Sequence, residues 1–216
     1  MLLLGTTACS NDNKNPQPTP PTTAAAAPTP PGPTAPASAP NPTVAGDVVT
    51  GLDSPWGVAP LPDGDTLVAS RNTGVVSRFG PGTNGVVPVG KVPGSTHRGE
   101  GGLLGLALSP DFARDGWVYM YTTTASDNRI LRMKYTRESG LTGAEVLLSG
   151  IPAASNHDGG RIAFGPDGML YVGTGEAGDK PLAQDRDSLG GKILRLTPDG
   201  KPAPGNPFPN SPVYSY

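Results

Sequence analysis

From position 46 onward the apolar residues come in short runs broken by glycine, proline and aspartate. Runs at 56–59, 66–70, 75–79, 86–89, 104–108, 118–122, 129–135, 145–148, 161–164, 170–173 and 192–196 read as β-strands. They are rich in β-branched and aromatic side chains and too short for helices. Turn tripeptides fall between them at Pro62-Asp63-Gly64, Pro166-Asp167-Gly168 and Pro198-Asp199-Gly200. No amphipathic helical period competes, so the domain is expected to be all-β.

The pattern repeats. GVAPLPDGDTLVASRNTGVVSRF is echoed by GLALSPDFARDGWVYMYTTTASDNRILRMKY, and again by RIAFGPDGMLYVGTGEAG running on to GGKILRL. Each copy is a strand, a Pro-Asp turn, a β-branched or aromatic strand, a loop and a further strand. Pro62, Pro110 and Pro166 are 48 and 56 positions apart, near the roughly 40 to 50 residues of a four-stranded propeller blade. A β-propeller is therefore expected. The competing reading is a β-sandwich with chance recurrence of Pro-Asp turns, but its strands recur at shorter spacing.

Composition divides the chain. The 28 residues 16–43 hold 11 prolines and no charged or aromatic side chain, so they cannot bury enough apolar surface to offset their ordering and read as an extended spacer. All 12 aromatic residues lie beyond it, which leaves 171 residues, 46–216, for a folded domain. No run of 18 apolar residues predicts a membrane-crossing helix. A net charge of −2 without a basic block argues against nucleic acid as a partner.

Ahead of the spacer, MLLLGTTACSNDNKN places the single cysteine, Cys9, after a short apolar start. It resembles the end of a bacterial lipoprotein signal, in which such a cysteine becomes the lipidated N-terminus. The other reading is an accidental apolar start with a free thiol. The favoured organisation is a signal remnant at 1–9, a Pro/Ala/Thr-rich linker at 10–45 and a propeller at 46–216. The membrane is then reached only through a lipid on Cys9, and the location is extracytoplasmic, anchored or secreted.

Two histidines exist in the chain, His97 and His157. His157 lies in the polar, glycine-containing loop SNHDGGR leading into the strand at 161–164. Glu176, in GTGEAG, follows 19 positions later, after one hairpin, which returns it to the same end of the sheet. A carboxylate on one imidazole nitrogen would fix the tautomer and raise the basicity of the other, as general-base chemistry requires. Alternatively His157 is a solvated loop residue and Glu176 caps a turn. A phosphate-cradle reading of the glycines lacks both the Lys-Ser/Thr and the helix it needs. The dense glycines of RGEGGLLGLALSPDF, 98–112, suit close approach by a flat ligand or by a neighbouring blade. Asp179, Asp185 and Asp187 lack EF-hand spacing and read as a solvated face, so no metal ligand is assigned.

Four ordered motifs, at 52–64, 99–112 (GEGGLLGLALSPDF), 157–175 (HDGGRIAFGPDGMLYVGTG) and 188–209 (SLGGKILRLTPDGKPAPGNPFP), resemble the glucose/sorbosone dehydrogenase family. Its members are six-bladed propellers that use pyrroloquinoline quinone (PQQ). The resemblance implies oxidation of an aldose or related sugar by hydride transfer to the quinone, with an external electron acceptor and with Ca²⁺. His157 matches the histidine that removes the hydroxyl proton. Glu176 matches its acidic partner, which is Asp in the soluble glucose dehydrogenases. Glu100 and Arg161 fall among cofactor contacts; Glu100 stands where those enzymes carry Gln, and a carboxylate near an anionic cofactor is repelled unless paired or protonated.

In the family the stretch matching Asn206 to Pro209 and Val213 to Ser215 continues into a Gly-His-Arg-Asn motif, calcium ligands and basic residues that hold the quinone carboxylates. At about 50 residues per blade, 171 residues make three to four blades. The expectation is thus an N-terminal fragment, inactive alone, with an open blade edge. The alternatives are a non-catalytic cell-surface propeller that binds carbohydrate or protein and, more remotely, a calcium-dependent lactone hydrolase.

Overall fold

A computed structural model describes residues 42–216; Cys9 and nearly all of the linker lie outside the described residues. Twelve strands follow: β1 (Pro55–Pro60), β2 (Thr66–Ser70), β3 (Val75–Phe79), β4 (Val87–Lys91), β5 (Leu103–Leu108), β6 (Trp117–Thr123), β7 (Asn128–Thr136), β8 (Gly140–Ile151), β9 (Gly159–Phe164), β10 (Leu170–Thr174), β11 (Ile193–Leu196) and β12 (Val213–Ser215). They form three four-stranded antiparallel sheets, β1–β4, β5–β8 and β9–β12, each a meander in chain order. These are three propeller blades, the lower of the two numbers expected.

Strand alternation explains why the blades stack. On β6, Val118 and Met120 pack into the core shared with the first blade, whereas Tyr119 and Tyr121 pack into the core shared with the third. On β7, Leu131, Met133 and Tyr135 face the first core and Ile130 the second. The inner strands of the middle blade, β5 and β6, are buried on both faces, which is why they read as nearly continuous apolar runs. Tyr119 adds an edge-on contact with Phe164 of the third blade, ring centroids 4.8 Å apart.

The first strand of each blade is innermost, and β5 packs between β1 and β9. Side-chain-free positions allow this approach. A Cβ at Gly105 of β5 would fall 2.2 Å from the Gly160 carbonyl oxygen of β9. This radial arrangement, with one core between each successive pair of sheets, excludes the two-sheet sandwich.

The Pro-Asp-Gly tripeptides all close the same turn. Gly64 N–H donates to Leu61 C=O, Gly168 to Gly165 and Gly200 to Thr197. In the middle blade Phe112 replaces the turn glycine, and the chain instead makes one helical turn, α1 (Phe112–Asp115), ended by Gly116 at φ 64°. The turns after the first strands lie at one end of the blades. Blade-to-blade connections and the loops after the second strands lie at the other.

Two strands escape the sequence pattern. β8 runs the whole of Gly140–Ile151, where only 145–148 was expected, because most of its residues are exposed and its pairing with β7 holds it in the sheet. β12 has three residues, too few to show a period.

Candidate active site

Three loops meet at the connection end: residues 92–102 between β4 and β5, residues 152–158 between β8 and β9, and residues 175–192 between β10 and β11. They carry Glu100, His157 and Glu176 in that order. Glu100 N–H donates to Ser155 C=O (2.9 Å). Its carboxylate Oε2 accepts from the backbone N–H of His157 (2.7 Å). Ala177 N–H donates to the His157 carbonyl (3.1 Å). Both peptide groups of His157 are therefore held by neighbouring loops, which sustains a left-handed φ of 57° that non-glycine residues seldom adopt. The approach is close: a Cβ at Gly175 would fall 1.7 Å from the His157 carbonyl oxygen.

The His157 ring pairs through Nδ1 with Glu176 Oε1. The imidazole is 51% exposed and the Glu176 side chain 18%, so the carboxylate is shielded while the ring faces solvent. That hydrogen bond and the carboxylate's charge hold the His157 imidazole above the usual histidine range; Glu100 adds to the effect and Lys180 opposes it. In turn, the hydrogen bond from His157 holds Glu176 below the usual carboxylate range. With the Nδ1 proton directed to Glu176, Nε2 carries the free lone pair.

A buried layer supports the histidine loop from below. Asp158 Oδ1 accepts from Asn128 Nδ2 (3.0 Å) and from Ala154 N–H (3.1 Å). Tyr121 Oη donates to the Asp158 carbonyl (2.7 Å), and Thr123 Oγ1 donates to Asn128 Oδ1 (2.6 Å). Asp158, Asn128, Thr123 and Tyr121 are all buried. Sequence reasoning missed this layer. Its members come from two different strands, β6 and β7, and the loop, and no local motif links them.

Arg161 is elsewhere. It is exposed on β9 and lines a cleft of about 540 Å³ along the inner strands, together with Pro55, Trp56, Gly105, Gly160 and Gly173. Among the described residues no hydrogen bond joins it to the histidine cluster. At the cleft margin the Arg71 guanidinium lies 5.7 Å from the centroid of the Trp56 ring. Asp185 accepts from Asp187 N–H, and Asp179 N–H donates to Glu176 C=O, so these acids shape their own loop. His97 closes a turn through Nδ1 with Gly101 C=O (2.9 Å).

The sequence model described as glucose/sorbosone dehydrogenase matches residues 52–216. The aldose sugar dehydrogenase YliI of Escherichia coli is 34% identical over 165 residues, which is 73% of this chain and 44% of that protein. Quinoprotein glucose dehydrogenase B of Acinetobacter calcoaceticus is 28% identical over 77% of this chain and 41% of its own length. Among solved structures, the PQQ-bound aldose sugar dehydrogenase of Streptomyces coelicolor superimposes with a TM-score of 0.77 at 59% identity, covering 79% of this chain and 52% of that one. The chain thus spans about half the length of the relatives it matches. Three meandering blades, a histidine–carboxylate pair on their loops and a match running from residue 52 to residue 216 agree, and the chain belongs to the glucose/sorbosone dehydrogenase family.

Proposed function

We propose that this chain carries the proton-abstracting half of a PQQ-dependent aldose dehydrogenase, with His157 as general base and Glu176 as its partner. The observation that carries the reading is the Nδ1 pairing of a half-exposed histidine with a shielded carboxylate, which leaves Nε2 without a hydrogen-bond partner among the described residues.

A planar, multiply anionic quinone needs a flat floor and a cation, and the residues of the inner cleft fit both needs. Gly159, Gly160 and Gly173 present no side chain there, and Arg161 brings a guanidinium. Glu100, whose charge would oppose an anion, is committed to the His157 amide. When bound, the quinone supplies the acceptor for the hydride leaving the sugar's anomeric carbon. His157 Nε2 takes the proton of the anomeric hydroxyl as that hydride departs. Glu176 orients the ring and stabilises the imidazolium so formed, and Glu100 and Ala177 hold the His157 backbone. For Ca²⁺ the described residues offer no group of three or more His, Cys, Asp or Glu side chains, and none of them is given a calcium role. The reading keeps an extracytoplasmic location with Cys9 as the point of lipid attachment.

The test supplies the complete gene product with PQQ and Ca²⁺ and follows reduction of an artificial electron acceptor by aldoses. Aldose-dependent turnover is expected, and His157→Ala should remove about 10²- to 10⁴-fold of it with the melting curve unchanged. Undiminished turnover in that variant would overturn the assignment of the base. Failure to bind the quinone in an equilibrium titration would point to a propeller that binds carbohydrate or protein without catalysis.

A further inference from the structure

The loop between β10 and β11 is organised around a side chain with no part in the proton transfer. Lys192 is 2% exposed. Its Nζ donates to three backbone carbonyls, those of Leu182 (2.6 Å), Ala183 (3.0 Å) and Gly190 (2.6 Å). Among the described residues no carboxylate is bonded to it. Burial pushes the ammonium below the usual lysine range, against the attraction of Asp185. A buried cation without a bonded counter-ion persists only if its donors are used, and three carbonyls use all three.

The positions of those carbonyls define what the ammonium does. Leu182 and Ala183 end a 3₁₀ turn, Lys180–Ala183, on the outgoing limb of the loop. Gly190 lies on the returning limb, so Nζ ties the two limbs together. Thr174 closes the neck: its Oγ1 donates to Leu189 C=O (2.7 Å) and accepts from Lys192 N–H (2.9 Å). Glu176 rests on this layer. A Cβ at Gly191 would lie 2.7 Å from Ala183 Cβ and 3.4 Å from Glu176 Cβ. The 3₁₀ turn, the returning limb and Glu176 are one packed unit.

We propose that Lys192 is a positioning residue whose buried ammonium fixes the β10–β11 loop and thereby the place where Glu176 meets His157. The proposal rests on the reading of Glu176 and His157 as the functional pair, but its test requires no turnover. With His97 and His157 the two histidines of the chain, both imidazoles can be titrated by NMR in ¹⁵N-histidine-labelled protein. Lys192→Met keeps the aliphatic stem and removes the ammonium.

The midpoint of His157 is expected to fall by about half a pH unit or more, roughly threefold in proton affinity. The sign discriminates, because removing a cation without moving the loop would raise the midpoint. The charged groups that act on the His157 imidazole are Glu176, Glu100 and Lys180. In a Glu176→Gln background Lys192→Met should add no further shift, since the effect runs through Glu176. A midpoint that stays or rises, an equal shift in the Glu176→Gln background, or global loss of amide protection in the strands would each overturn the proposal. A catalytically competent His157→Ala variant would instead remove the functional reading and leave the titration result standing.

Discussion

Two charged clusters occupy opposite ends of the blades, and they use their partners differently. At the turn end, Asp65 has a fully buried side chain. One of its oxygens accepts from Gly82 N–H (2.9 Å), the other from Thr83 Oγ1 (2.8 Å) and Arg137 Nη1 (3.1 Å), with Arg78 Nε 3.4 Å away. Arg137 comes from the middle blade, and Arg78 also reaches its Tyr135 hydroxyl (3.1 Å). This cluster joins two blades. At the connection end His157 commits one ring nitrogen to Glu176 and leaves the other without a hydrogen-bond partner among the described residues, on a half-exposed side chain. A charged group serves cohesion when both its oxygens are bonded inside the fold, and serves chemistry when one of its nitrogens is left unpaired.

The sharpest way to break this contrast is to exchange the expected phenotypes. Asp65→Ala strands Arg78, which is nearly buried, and should lower the melting temperature by roughly 5 °C or more. The His157 titration should not move, because the two clusters share no residue. A variant that melts normally, or one that shifts His157, would erase the distinction.

Glu176→Gln probes the other cluster. It keeps a hydrogen-bond acceptor but removes the charge that raises His157. The acid limb of the pH–rate profile should therefore move to lower pH, and turnover should fall on the order of tenfold or more, since the imidazolium loses its counter-charge. An acid limb that stays in place would mean that another group sets it.

Acid should separate the two clusters again. The Thr83 hydroxyl bond, with Gly82, Arg137 and Arg78, holds Asp65 below the usual carboxylate range despite its burial. A depressed folded value gives stability that is present above the unfolded value of about 4 and lost as pH falls through the folded one. Asp65→Asn should flatten this part of the melting-temperature profile. His157 has the opposite sign: its raised value favours the folded state below about pH 6.5 and loses that contribution as pH rises through the folded value.

The smallest effect is expected from Glu100→Gln, which can still accept the His157 N–H. His157 should titrate slightly lower, because Glu100 adds to its raised value, and PQQ should bind slightly tighter for want of a negative neighbour. Weaker quinone binding, measured by titration, would assign the Glu100 carboxylate a direct part in holding the cofactor.

The legibility of these features in the sequence follows their range. Blade cores were legible because alternation is local, and the Pro-Asp turns marked where each hairpin reverses. β8 was not, because an outer strand held by pairing with β7 need not be apolar. His157 and Glu176 could be matched across one hairpin, where the chain returns to the same end after a fixed number of strands. The role of Glu100 depends on a hydrogen bond spanning 57 positions, and nothing near either residue encodes it. The apolar pattern makes Lys192 the first residue of a strand, whereas its side chain turns back under the preceding loop. Asp158, beside His157 in sequence, serves the layer beneath through Asn128, a residue of the middle blade.

The bond from His157 to Glu100 has a consequence for how the protein is made. Its two ends are the connectors that enter and leave the middle blade, so it closes only when that entire blade has formed. Chain-ordered blades with neighbour-only cores allow folding to proceed stepwise during synthesis. The histidine loop depends on two parts of the chain at once: His157 meets Glu176 in this arrangement only where the middle blade and the β9–β10 hairpin have both formed.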